Sequence, residues 1–201
     1  MEFLTLAAVL LLAVHLLKTR EQKRRILLLA SHLGRYQIER LMENLTEGYL
    51  RCLGENDPAR REQIWKLLDT TEQTLAGQFQ RFAADFARVE DADARVSTLP
   101  LALPFAQRLL PAYSFDMRRA LALHARGIAE AAANSLQRTP RDKAYTLSAE
   151  LFLMQHTCHW YCRSKAVASA RMLARHKTPH AQLVDSVAPA TRRDYRALVG
   201  G

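Results

Sequence analysis

The 201-residue sequence predicts an all-α protein. It reads as an N-terminal single membrane-anchor helix, a four-helix bundle and two short C-terminal helices. Three observations predict this class. Glycine occurs only seven times, and the chain is rich in alanine, leucine, arginine and glutamate without β-branched runs. Apolar residues recur at spacings of three and four through most of the chain. Proline follows Asp57, Thr139 and Thr178 directly, and a capping side chain followed by proline is a helix-start signal. The expected division is an anchor at 1–20, a bundle at 21–177 with a long crossover at 96–113, and short basic C-terminal helices at 178–201.

Residues 3–17, FLTLAAVLLLAVHLL, form the one strongly apolar run, and Lys18, Arg20, Lys23, Arg24 and Arg25 follow at once. As a helix the run spans about 22 Å against a hydrocarbon core of about 30 Å, and a snorkelling Lys18 extends it. A cleaved signal peptide fits less well: Glu2 is acidic, no basic segment precedes the run, and no A-x-A site precedes the charges. A buried core helix is the other alternative. The cations after the run place the rest of the chain in the cytoplasm. Three cysteines, an odd number, fit a reducing compartment. The alanine-, leucine- and arginine-rich style is that of a bacterial chain, hence a single-pass inner-membrane address with lipid as partner of residues 1–20.

The pattern from 21 to 53 is helical, with Ile38, Leu41, Leu45, Tyr49 and Cys52 on one stripe, and it can continue straight out of the membrane. Gly54 ends it, and Asp57 and Pro58 begin the next helix. There Ile64, Leu68, Thr71, Leu75, Phe79, Phe82, Phe86 and Val89 keep the stripe, and the helix is expected to reach Arg95. Pro100, Pro104 and Pro111 then forbid a long helix over 96–113, leaving an apolar crossover with a short helix near 105–110. A lid or a membrane-touching loop is its functional alternative. Ser114 is the expected cap of a helix over 115–138 whose stripe is Met117, Leu121, His124, Ile128 and Ala131. The next helix begins at Thr139 and Pro140, close enough to lie antiparallel to it.

Residues 144–176 are the chemical centre. Leu147, Leu151, Met154, Cys158, Cys162, Ser169 and Met172 share one helical stripe. Cys158, His159 and Cys162 stand together at that stripe or its edge, a spacing able to supply three ligands of a tetrahedral site. His124, mid-stripe on the preceding helix, is the first candidate for the fourth ligand and Cys52 the second. The plainer alternative is that both cysteines are small core hydrophobes and His124 a satisfied core histidine. On that reading no cofactor is expected; zinc or iron belongs to the other.

Net charge is +9 and lies entirely after residue 116: residues 1–116 balance 15 basic against 15 acidic side chains, and 117–201 set 14 against 5. Arg163, Lys165, Arg171, Arg175, Lys177, Arg192, Arg193 and Arg196 make the candidate basic patch, suited to nucleic acid, anionic lipid or an acidic protein. Residues 166–187 can be drawn as a helix-turn-helix, though the second helix offers few base-reading side chains. P-loop, G-x-G-x-x-G, H-E-x-x-H, G-x-S-x-G and E-x-x-H motifs are all missing. The leading functional expectation is a non-catalytic, membrane-tethered module for protein interaction. A metal, haem or redox-sensing bundle and a nucleic-acid or anionic-lipid binder are its alternatives.

Overall fold

The computed structural model describes residues 2–99 and 102–200. Within them lie ten α-helices and one pair of three-residue strands. The order is α1 (Glu2–Leu33), α2 (Ile38–Gly54), α3 (Pro58–Phe86), α4 (Asp91–Ala94), β1 (Arg95–Ser97), α5 (Ala106–Leu109), β2 (Ser114–Asp116), α6 (Met117–Ala133), α7 (Pro140–Cys162), α8 (Lys165–His176), α9 (His180–Ser186) and α10 (Pro189–Val199). The all-α class and the long apolar N-terminal helix are as expected.

Helices α2, α3, α6 and α7 carry the core, with contacts between α2 and α3, α3 and α6, α6 and α7, and α7 and α2. Successive partners run antiparallel. Across α2 and α3, Gln37 meets Gln78 and Tyr49 meets Glu72; across α6 and α7, Gly127 meets Glu150 and His124 meets Thr157. The expected phenylalanine row is the centre of this core: Phe79, Phe82 and Phe86 are fully buried, Phe82 packs edge-on against Tyr36, and Phe86 packs edge-on against His32 and Tyr161.

Four boundaries differ from the sequence expectation. The first two helices are not continuous. Gly34 opens a turn, the Tyr36 hydroxyl donates to Asp85 at 2.5 Å, and the Gln37 N–H donates to Gln78 at 2.7 Å. Helix α3 stops at Phe86 rather than Arg95. Arg118 pulls the next residues into another path by donating to the Val89 carbonyl at 3.0 Å while pairing with Asp91 and Asp116 at 2.7 Å each. Ser114 is a strand residue, and the cap of α6 is Asp116, whose carboxylate accepts from the Arg118 N–H at 2.8 Å. The stretch 144–176 is two helices: the backbone turns at Arg163, and Ser164 caps α8 by accepting from the Val167 N–H.

The crossover holds its expected short helix, α5, and adds the antiparallel pair β1–β2, with Val96 opposite Phe115 and both buried. Trp160 on α7 fastens it, donating from Nε1 to the Ser97 carbonyl at 2.9 Å and packing edge-on against Phe115.

Helices α6, α7 and α10 approach most closely at Gly127, where a Cβ would stand 2.5 Å from Glu150 Oε2 and 2.6 Å from Thr191 Oγ1. Both neighbours are buried and cannot swing aside. Alanine improves an exposed helix by about 1 kcal/mol, but overpacking a core costs about 1–3 kcal/mol. Gly127→Ala is therefore expected to lower the Tm, by about 3–6 °C in a thermal melt.

Candidate functional site

Helix α1 has two halves. From residue 3 to 17 Phe3, Val9 and the leucines are 43–84 % exposed, and no residue of its most apolar stretch is buried. The helix is long and apolar enough to cross a membrane. From residue 18 onward it is docked. Leu29 is buried, and Leu28 and Leu33 pack against the core. Arg24 pairs with Asp93 at 2.6 Å, and Gln22 accepts from Arg163 at 2.7 Å.

Arg25 makes the principal joint. Its guanidinium pairs with Glu21 at 3.2 Å, donates to the Tyr161 carbonyl at 3.1 Å and to the Arg95 carbonyl at 3.0 Å, and lies 5.3 Å above the Tyr161 ring. Tyr161 ends α7, where free carbonyls carry the negative pole of the helix and favour a cation. The aspartates that follow α3 find partners here: Asp93 takes Arg24, and Asp91 takes Arg95 and Arg118.

After its first turn helix α7 is buried over most of its circumference, with Tyr145 exposed and Ser148, Phe152, Gln155 and His159 partly so, which is why a single stripe describes it poorly. Leu147, Leu153, Thr157, Trp160 and Tyr161 are its most enclosed residues, whereas Cys158 and Cys162 are half-buried and pack beside the core. Cys158 contacts Met154 Sδ at 3.8 Å, and the half-buried His159 lies 3.3 Å from Arg171. His124 is fully buried, and its Nε2 meets the Thr157 hydroxyl at 2.9 Å. Cys52 is buried on α2 against the Arg61 carbonyl. The structure does not assemble Cys158, His159, Cys162 and His124 into one site, nor does it bring Cys52 to them. Among the described residues no three histidine, cysteine or carboxylate side chains group closely enough to hold a metal ion. The physical reason is angular: Thr157, the partner of His124, sits one residue and about 100° around the helix from Cys158. Burial pushes both thiols up, that of Cys162 to about 11, away from thiolate chemistry.

The basic residues also divide. On α10, Arg193 pairs with Asp194 and Arg196 with Asp185, while Arg192 donates to the Asp185 carbonyl. Arg163 reaches α1, and Lys165 covers the Trp160 ring at 5.1 Å. Arg171, Arg175 and Lys177 on and after α8 have no carboxylate partner among the described residues. Helix α9, the second helix of the drawn helix-turn-helix, is seven residues long and directs Leu183 and Val184 inward. A second cationic site lies elsewhere. A cleft of about 850 Å³ at the far ends of α2, α3, α6 and α7 is lined by Trp65, Arg61, Arg138 and Arg141, and its floor is Lys143 held between Asp69 and Glu72.

Sequence reasoning also missed a buried polar cluster where α9 and α10 close over α6 and α7. His156 stacks on His180 at 4.1 Å and meets Ser169 at 3.1 Å. His180 lies 3.4 Å from the Tyr195 hydroxyl, and Tyr195 packs beside His124. Glu150 accepts from the Ala188 N–H at 3.0 Å. The odd placement of His156 opposite Cys158 was its one sequence signal.

Burial pushes His124 and His156 down to about 3 and His180 to about 4; the charges of His180 and Lys165 add to the effect on His156, and Lys165 to that on His180. Burial pushes Glu150 up to about 7 against the opposing hydrogen bonds from Ala188 and Thr191. Between pH 4.5 and 6.5 the unfolded chain gains up to three protons on these histidines, while the folded chain gains one on Glu150. Stability therefore falls on acidification, by about 2 kcal/mol per pH unit from these four groups. Denaturant titrations of the full chain in micelles at pH 5 and 7 check this, and His156→Gln is expected to flatten the slope. Cys158 is expected to react with iodoacetamide at pH 8 about tenfold or more slowly than in the denatured chain, read by mass spectrometry.

No family model, curated protein or solved structure gives a significant match to this chain.

Proposed function

We propose that this chain is a membrane-tethered helical module that acts by binding another protein and not by catalysis. It would sit as a single-pass protein at an inner membrane, with its folded part in the cytoplasm. One observation carries the reading: the two halves of α1. A helix whose apolar half stays largely exposed along the 15 residues 3–17 is penalised by water, and a membrane removes that penalty. The other half is fixed to the core through Leu29, Arg24 and Arg25, so whatever holds the apolar half also holds the fold.

The five cations at the junction, Lys18, Arg20, Lys23, Arg24 and Arg25, favour the cytoplasmic side for the folded part. Leu50 on α2 and Leu67 on α3 are exposed apolar side chains on the outer surface of this helix pair and offer contacts for a protein partner.

Full-length chain is expected to stay with the membrane pellet through alkaline carbonate extraction, and a chain lacking residues 2–17 to move to the supernatant. A C-terminal reporter that is active only in the cytoplasm is expected to be active. Release of the full chain by carbonate, or an inactive reporter, removes the tether or its orientation. Leu50→Asp with Leu67→Asp is expected to shift the solubilised protein on a native gel from a complex to its own mass at unchanged Tm. An unshifted band argues against a partner on that face.

A further inference from the structure

The crossover between β1 and β2 has an inner side and an outer side of opposite character. Its inner side is polar and bound to α1. Glu21 accepts the Phe105 N–H on Oε2 at 2.9 Å and the Gln107 amide on Oε1 at 2.6 Å, and Gln107 and Ala106 are buried. Only about 40 Å³ of space remains where Lys18, Glu21, Leu103 and Gln107 meet, so the segment is seated against the helix. Its outer side is apolar and bare: Leu109, Leu110 and Tyr113 are 76, 43 and 57 % exposed. Arg108, lying 5.6 Å above the Phe105 ring, is the one charged residue from 102 to 113.

The segment holds this shape through its own backbone. The Leu110 N–H donates to Ala106, that of Tyr113 to Leu110, and that of Thr98 to Tyr113, at 2.8, 3.0 and 2.9 Å. Phe105 accepts a left-handed backbone at φ 56°, a conformation that costs energy and that the Glu21 bond to its N–H maintains.

We propose that this apolar side is a second lipid contact, inserted into the membrane interface beside α1. The inference rests on reading α1 as an anchor, because position selects the occupant. The docking residues Lys18 and Glu21 stand immediately after the bare run ending at Leu17, so the crossover meets α1 at the level where the chain leaves the hydrocarbon. The chemistry agrees. Leucine and aromatic side chains enter the acyl boundary, tyrosine suits the headgroup level, and Arg108 supplies a cation for lipid phosphate. With two contacts the folded part cannot swing freely about α1; the membrane fixes its tilt.

The test places a fluorophore in the full chain. Leu109→Trp and, as a control at the opposite end, Leu136→Trp are each inserted into phosphatidylcholine vesicles with brominated acyl chains, and the vesicles are floated on a gradient. Leu136 is 71 % exposed and lies in the turn between α6 and α7, so neither substitution enters the core. Emission from Trp65 and Trp160 is subtracted with the unsubstituted chain. Flotation reads the anchor, and quenching in the floated fraction reads the crossover. The added emission of Leu109→Trp is expected to fall by about half or more, as for a ring at the acyl boundary, while that of Leu136→Trp stays unquenched. A chain that floats with Leu109→Trp unquenched, or with both variants quenched alike, overturns the second contact and leaves the anchor standing. A chain that does not float overturns both.

Discussion

The structure depends on one guanidinium. Arg25 stands where α1, the last turn of α7 and the start of β1 converge, and it satisfies carbonyls from two of them while pairing with Glu21 on its own helix. Its side chain is only 14 % exposed, so these bonds form largely out of water and are correspondingly strong. Lysine could not replace it, because a point charge cannot serve divergent acceptors and cover the Tyr161 ring together. Without this joint α1 would keep its leucines, the Arg24–Asp93 pair, the Gln22–Arg163 bond and the hold of Glu21 on the crossover, but lose its direct tie to the end of α7 and the start of β1. Glu21 extends the same joint to the crossover, so one turn of α1 organises three segments distant in sequence.

Helix α7 is the other constraint. A helix packed against α6, α8, α9, α2 and α1 must find partners for the polar groups it buries, and most have one, though His156 Nδ1 has none among the described residues. Thr157 bonds both His124 and its own Leu153 carbonyl, Trp160 finds Ser97, and Tyr161 finds the Asp93 carbonyl. Glu150 and His156 are closed over by Ala188, Thr191 and His180 from the C-terminal helices. The short α9 and α10 are thus the lid of the polar core, and their docking is coupled to the protonation of the groups beneath them.

How much of this could be read beforehand follows from range. Features written in three or four adjacent residues were legible: the all-α class, the starts at Pro58 and Pro140, the short helix inside the crossover and the stripe of α6. Features decided by a distant partner were not. Nothing near Gly34 announces that Tyr36 will be held by Asp85. The early end of α3 is imposed by Arg118, which lies beyond the crossover. The turn at Ser164 was written locally, as a serine cap, but the apolar periodicity runs through it and hides it. For the candidate site, the sequence identified His124 as a buried stripe residue; its partner Thr157, next to Cys158 rather than on its face, could be found only from the packing of α6 on α7. The His156–His180 stack joins residues 24 apart on helices whose order the sequence does not fix.

The arginine-lined cleft faces the end of the molecule opposite the crossover. Lys143 on its floor and Tyr161 beside Arg25 are on the same helix, separated by about 27 Å along its axis. Counter-ions at physiological ionic strength screen a surface potential over a Debye length of about 8 Å. If α1 is an anchor, as proposed, a cleft more than three such lengths from the α1 end of the molecule experiences almost none of the field of the lipid headgroups. On that reading its guanidinium groups are electrically decoupled from the membrane, and part of their counter-charge is already present in Glu62, Asp69 and Glu72 of the same cleft.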